Sequence, residues 1–149
     1  MSNINPGDIF HFDEYFFTDT GEQRNHFALL LLPPTIFVAN AHFCVITSRQ
    51  PKGRLYLELI RSKYKCFSED CSYARFDKVD LERVDDSGTK KRGTLTLDDL
   101  KRGVKIIHKC LGIDHLCYQD RFFRAAIIRA WIRRKAQLSG NCGATSSGV

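Results

Sequence analysis

Phe27-Ala28-Leu29-Leu30-Leu31-Leu32-Pro33-Pro34 is an unbroken apolar run stopped by two prolines. It shows no helical or alternating period. A short run of this kind between turn signals reads as a strand buried on both faces, and the prolines end it because they cannot donate to a ladder. Outward from it, His42-Phe-Cys-Val-Ile46 is a second such run, giving way to Thr47-Ser48-Arg49. Asp8-Ile-Phe-His-Phe12 follows Pro6-Gly7 and predicts a first strand. Arg54 to Ile60 places Leu55, Leu57 and Leu59 on one face by its period of two. Ser72–Asp77 and Val79–Val84 predict two further short strands, with Asp85-Asp-Ser-Gly88 as a turn. Thr18–Asn25 is dense in polar turn formers and predicts a loop.

The period changes near residue 95. Thr96 is placed to cap a helix, with Asp99 in the first turn where the helix dipole favours an anion. Leu97, Leu100, Val104, Ile107 and Leu111 form one apolar stripe, and Gly112 ends it. A second helix is predicted over about Tyr118 to Lys135, with Phe122, Phe123, Ala126, Ile127, Ala130 and Trp131 on its apolar face. From Ser139 the composition predicts a disordered tail. Strands followed by helices indicate a mainly β fold, a small barrel or sandwich covered by C-terminal helices.

A chain of 149 residues is enough for one domain, and 43% hydrophobic with 27% charged residues excludes disordered and fibrous classes. Charge is uneven. Residues 1–50 carry 2 basic and 5 acidic side chains, whereas 101–149 carry 10 and 2, so positive potential collects in the C-terminal third. No basic segment leads into an apolar run near the start, and no stretch is long and apolar enough to span a bilayer. The expectation is a soluble cytoplasmic chain with reduced cysteines.

Several residues could carry chemistry. Tyr73, Arg75 and Asp77 share one strand face. A guanidinium and a carboxylate so placed can hold a phosphodiester and relay a proton, or form only a surface ion pair of little worth. Thr47 ends an apolar strand where its hydroxyl can reach a phosphate oxygen. Arg24 and His26 flank the start of the buried strand, one able to neutralise phosphate and the other to move protons. Arg121, Arg124, Arg129, Arg133, Arg134 and Lys135 on the second helix suit nucleic acid or an acidic partner, or a solvated face. His108/Cys110, His115/Cys117 and Cys66/Cys71 lack the spacing of zinc sites, so no metal is expected. Gly-rich phosphate loops, GxSxG and HExxH are absent from the sequence.

In order, Pro6-Gly7-Asp8-Ile9, Gly21-Glu22-Gln23, Ala28–Leu32, Val45-Ile46-Thr47-Ser48, Tyr73–Val79 and Gly93-Thr94-Leu95-Thr96 resemble the PemK/MazF-like toxins of bacterial toxin–antitoxin modules. The resemblance spans about residues 6–112. It implies an SH3-like barrel with its first helix over 1–112, usually homodimeric; the basic helical segment over 113–138 and the tail 139–149 lie beyond what the resemblance covers. It also implies a cofactor-free, metal-independent endoribonuclease that cleaves single-stranded RNA by attack of the ribose 2′-hydroxyl. The protein partner implied is an acidic antitoxin. On that template Thr47, Arg75 and Asp77 are catalytic, with Arg24 or His26 completing the site, while Glu22, Ser48, Arg49 and Tyr73 contact RNA. The family's loop Arg precedes a proline, and Asn25-His26-Phe27 stand there instead. The alternatives are a non-catalytic barrel that binds a protein target, as gyrase-directed relatives do, and an RNA-binding module.

Overall fold

The computed structural model describes residues 4–17, 20–35, 39–53, 55–77, 79–84, 88–111 and 121–147. Among these residues seven strands form one antiparallel sheet: β1 (Asp8–Phe16), β2 (Gln23–Leu32), β3 (Ala41–Thr47), β4 (Tyr56–Ile60), β5 (Cys71–Arg75), β6 (Asp80–Glu82) and β7 (Thr89–Thr94). Two helices follow, α1 (Leu97–Leu111) and α2 (Arg121–Ser147). The strand order is β4-β5-β3-β2-β1-β7, with β6 pairing β3 off this path. The fold is therefore mainly β with C-terminal helices. Among the described residues the β4 and β7 edges do not pair, so the sheet is an open path and not a closed barrel.

The apolar run Phe27–Leu32 lies in the middle of the sheet. Leu29, Leu30 and Leu31 of β2 are all fully buried, because the sheet is covered on both faces. On one face Ile9, Leu29, Cys44, Ile46, Leu57, Leu59 and Ala74 meet Leu100, Val104 and Ile107 of α1 and Ile127 and Trp131 of α2. On the other, Phe10, Phe12, Tyr15, Ala28, Leu30, Phe43 and Val45 form a second core, with Phe43 edge-on to Phe10 and Phe12 at 5.7 and 4.9 Å. A register shift between Phe12 and Tyr15 turns the end of β1 over this core towards β6. There the Tyr15 hydroxyl donates to Asp80 Oδ2 at 2.5 Å, and the Phe16 N–H donates to Glu82 Oε1 at 2.6 Å.

Directional bonds add to the apolar docking of the helices. Thr96 caps α1, its Oγ1 accepting the Asp99 N–H at 3.3 Å. Trp131 is fully buried, its indole N–H donates to the Leu31 carbonyl at 2.9 Å, and its ring stands edge-on to Phe76 at 5.8 Å. It lies against Gly103 of α1, where an added Cβ would come within 2.6 Å of the ring. Gly7, at φ +89°, bridges two elements: its N–H donates to Leu30 and its carbonyl accepts from Leu95. The next residue, Asp8, is buried and ion-paired with Lys91 at 3.2 Å.

The structure departs from the sequence expectations in five places. β2 begins at Gln23, so Gln23 and Arg24 pair with Phe16 and Tyr15 in a ladder where a loop was expected. β5 stops at Arg75 and Asp77 falls in the turn after it. β4 begins at Tyr56. β7, Thr-Lys-Lys-Arg-Gly-Thr, was not expected as a strand at all. α2 continues to Ser147 through the segment expected to be disordered, with Leu138 still packed against the core. Gly112, Tyr118 and the 85–87 turn lie outside the described residues, as do the side chains of Phe122 and Phe123.

Two outcomes test this packing. Gly103→Ala is expected to destabilise the protein by about 1–3 kcal/mol in chemical denaturation, despite alanine's better helix propensity, because Trp131 has no room to move. Burial raises the Glu82 carboxyl to about 7. The folded state then holds this proton more tightly than the unfolded chain, so its contribution is present at low pH and is lost as pH rises towards 7. The expected slope is at most about 1.4 kcal/mol per pH unit between roughly 4.5 and 7, and Glu82→Gln removes it in melts compared across that range.

Candidate functional site

The candidate site forms where β3 leaves the core. Val45 and Ile46 are buried, Thr47 is half-buried, and Ser48 and Arg49 are exposed. The Arg49 N–H donates to Thr47 Oγ1 at 3.3 Å, a local turn that orients the hydroxyl at the strand end. β2 brings Asn25, His26 and Phe27 alongside, since Phe27 pairs with Ile46, and β1 brings His11, which pairs with Phe27. Ser72 arrives on β5. The segment between β4 and β5 closes the far side with Phe67, Ser68 and Glu69. Together these residues line a groove of ≈ 240 Å³.

Its floor is apolar and aromatic. The Phe67 ring stands edge-on to Phe27 at 5.1 Å, and Phe27 to the His11 imidazole at 4.9 Å. Its rim is polar, with two hydroxyls from adjacent residues, Thr47 and Ser48, beside His26. His26 Nδ1 lies 3.0 Å from the Phe27 carbonyl. A carbonyl only accepts, so the ring nitrogen there carries the proton and Nε2 holds the lone pair. Burial lowers the His26 pKa from its ordinary 6.5; the hydrogen bond to the Phe27 carbonyl opposes this in part, and the charges of Arg24 and His11 add to the lowering, which favours the neutral ring at pH 7.

The far wall is fastened to the start of α1 by Tyr64. Tyr64 donates its hydroxyl hydrogen to Asp99 Oδ2 in a short hydrogen bond, and its oxygen accepts the Thr96 N–H at 3.1 Å. Burial and Asp99 together push the tyrosine up to about 12. Asp99 is itself buried, with Arg102 at 3.4 Å and Lys63 at 3.7 Å.

The residues expected at the site fall into three groups. His26, Thr47 and Ser48 line the groove. Arg75 and Asp77 form a bidentate ion pair, at 3.1 and 2.6 Å, and are not among its lining residues. They share a patch with Tyr73, the cross-strand partner of Thr47, whose ring stands edge-on to Tyr56 at 5.4 Å. Thr47 thus joins groove and patch. Arg24 stays at the β1–β2 hairpin with its guanidinium 4.7 Å over the Phe17 ring. Glu22 is exposed in that hairpin turn, its carbonyl accepting the Phe17 N–H. His11, Asn25, Ser72 and the 67–69 segment were missed. His11 alone left a trace: it interrupts the Ile9 face of β1, where an apolar residue would continue the core.

Among the described residues no three His, Cys, Asp or Glu side chains cluster as metal ligands, and Cys44, Cys66 and Cys71 are free thiols. No described helix is long and apolar enough to cross a membrane. Exposed Arg129 and Arg133 place positive charge on α2, while the side chains of Arg121 and Arg124 lie outside the described residues. Comparison with protein-family models gives no match, and comparison with curated proteins gives none either.

Tyr64→Phe is expected to cost about 1–3 kcal/mol by removing the short hydrogen bond to the buried Asp99 Oδ2, leaving Arg102 and Lys63 as its partners. It should also speed amide hydrogen exchange at Phe67–Glu69 while β2 exchange stays slow, which exchange mass spectrometry would read.

Proposed function

We propose that the protein is a metal-independent endoribonuclease of the PemK/MazF-like toxin class, acting on single-stranded RNA. The observation that carries this reading is the groove at the ends of β2 and β3. It sets the Thr47 and Ser48 hydroxyls and a neutral imidazole over an aromatic floor. An unpaired base can stack on the half-buried Phe27, as single strands do on aromatic side chains, and this leaves its phosphate at the polar rim. There the hydroxyls donate to the non-bridging oxygens as charge builds on phosphorus. The 2′-oxygen attacks, its proton passes to a base, and the P–O5′ bond breaks. The ends formed are a cyclic phosphate and a 5′-hydroxyl.

Arg75, Asp77 and Tyr73 extend the track along β5, with Arg49 beside Thr47 for the backbone of the next nucleotide. In this reading the open sheet is a variant of the SH3-like barrel, the chain works as a homodimer, and the basic α2 receives an acidic antitoxin. The second reading is a non-catalytic barrel that binds a protein target or RNA. The Arg75–Asp77 pair favours it, since a guanidinium and a carboxylate bonded at 2.6 Å are engaged with each other.

Long mixed-sequence RNA incubated with the purified protein in excess chelator separates the two. Discrete fragments with cyclic-phosphate ends are expected from wild type, and Thr47→Ala,Arg75→Ala should be slower by at least about 100-fold. Intact RNA together with growth inhibition on expression would establish the second reading.

A further inference from the structure

We infer that the pocket where α2 crosses the end of β2 binds an acidic peptide, one carboxylate pairing with Arg134 and Arg133 while an apolar neighbour packs on proline. The inference deepens the acidic-partner part of the reading above and rests on that part alone. The pocket follows from how α2 is docked. Trp131 holds the helix by its bond to the Leu31 carbonyl at 2.9 Å, and the chain then leaves β2 through Leu32, Pro33 and Pro34. Ala130, Arg133, Arg134 and Gln137 are spaced i, i+3, i+4 and i+7, so one stripe of α2 meets this exit. Ile4 and Pro6, ahead of β1, close the remaining side around ≈ 300 Å³.

The walls and the donors differ in kind. Pro6, Pro33 and Pro34 carry no N–H, and with Ile4 and Leu32 they make the walls apolar. The cations come from the helix. Arg134 is half-buried, and its Nε–H is enclosed without an acceptor. Arg133 beside it is exposed. No Asp or Glu lines the pocket, and none occurs in α2 from Arg121 to Ser147. A guanidinium that has lost part of its hydration and has no counter-charge is unfavourable, and an anion at the pocket relieves it. A carboxylate fits the guanidinium fork with two parallel hydrogen bonds, and the second arginine adds to the field.

The walls also select among anions. A single-stranded nucleic acid brings bases, and no aromatic ring lines this pocket for them to stack on, whereas Phe27 lines the groove. An apolar residue beside an acidic one suits the proline and leucine surfaces. Phe27 and Leu32 stand at opposite ends of the buried run, about 16 Å apart along β2, so peptide and RNA use different residues.

The test is fluorescence anisotropy with a labelled Leu-Glu-Leu-Asp-Leu peptide, beside its Leu-Gln-Leu-Asn-Leu and Ser-Glu-Ser-Asp-Ser counterparts. The first is expected to bind at least about tenfold more tightly than either control. Excess oligothymidylate, which has no 2′-hydroxyl to attack, should leave it bound. Arg134→Gln and Arg134→Lys should each weaken it about tenfold or more, since lysine keeps the charge and loses the fork. Arg129→Gln removes an exposed α2 cation outside the pocket and should stay within about twofold. Melting curves check that the variants fold, and a benzophenone-bearing peptide should crosslink wild type at residues 32–34 or 130–137, with no substitution needed. Equal losses in Arg129→Gln and Arg134→Gln, equal binding of either control peptide, displacement by oligothymidylate, crosslinks elsewhere, or no binding of the acidic peptide would overturn the pocket. So would self-association of wild type that Arg134→Gln abolishes, which makes the occupant a second copy. RNA cleavage is outside the readout: a protein that holds the peptide but cuts no RNA keeps the pocket and loses the nuclease, and one that cuts RNA but ignores the peptide does the reverse.

Discussion

The contact between the Tyr64 hydroxyl and the Asp99 carboxylate holds together the parts of the molecule that make a groove. Asp99 is almost completely buried at the start of α1, and a carboxylate there is tolerable only with donors around it. Tyr64 supplies one and also accepts the Thr96 N–H, an amide otherwise orphaned at the helix start. The segment between β4 and β5 is thereby fastened to the helix. Phe67 is set against Phe27, and Ser68 and Glu69 become a wall instead of a free loop.

The sheet contributes the second constraint. Its two faces carry separate cores, one under the helices and one enclosed by the turned end of β1 and by β6. The buried acids Asp80 and Glu82 meet that turn with the Tyr15 hydroxyl and the Phe16 amide, so the bend is held by directional bonds as well as by packing. Where β3 runs out of this packing at Thr47, polar residues take over. The edge strand β7 carries Lys90, Lys91 and Arg92, whose repulsion opposes pairing with another chain.

Local pattern made much of this legible. The β2 and β3 runs, the alternation of β4, the Thr96 cap and the α1 stripe all appear where apolar periodicity places them, because burial repeats with the period of the element. β7 was invisible for the same reason: a polar edge strand has no apolar face to announce it. Gln23 and Arg24 read as loop residues because their polarity signals exposure, and exposure is what the end of a two-stranded hairpin provides even while its backbone is paired. Polar composition likewise marked Ser139 onward as a tail, although α2 runs through it to Ser147.

Of the candidate site, Thr47, Ser48 and His26 could be picked out because each stands where an apolar run meets polar residues. Joining them with His11, Ser72 and Phe67, and parting them from Arg75 and Asp77, required the fold. Residues distant along the chain meet through strand register, a bulge in β1 and the docking of one segment on Asp99. A one-residue change in any register would exchange the faces of a strand, and no periodicity in the chain encodes which register packs. The amino-acid order alone was enough to specify the apolar strands, α1 and a charge gradient, but not the polar edge strand β7 or the full length of α2. Which side chains share a groove was set by packing between elements, where small offsets in register exchange one set of neighbours for another.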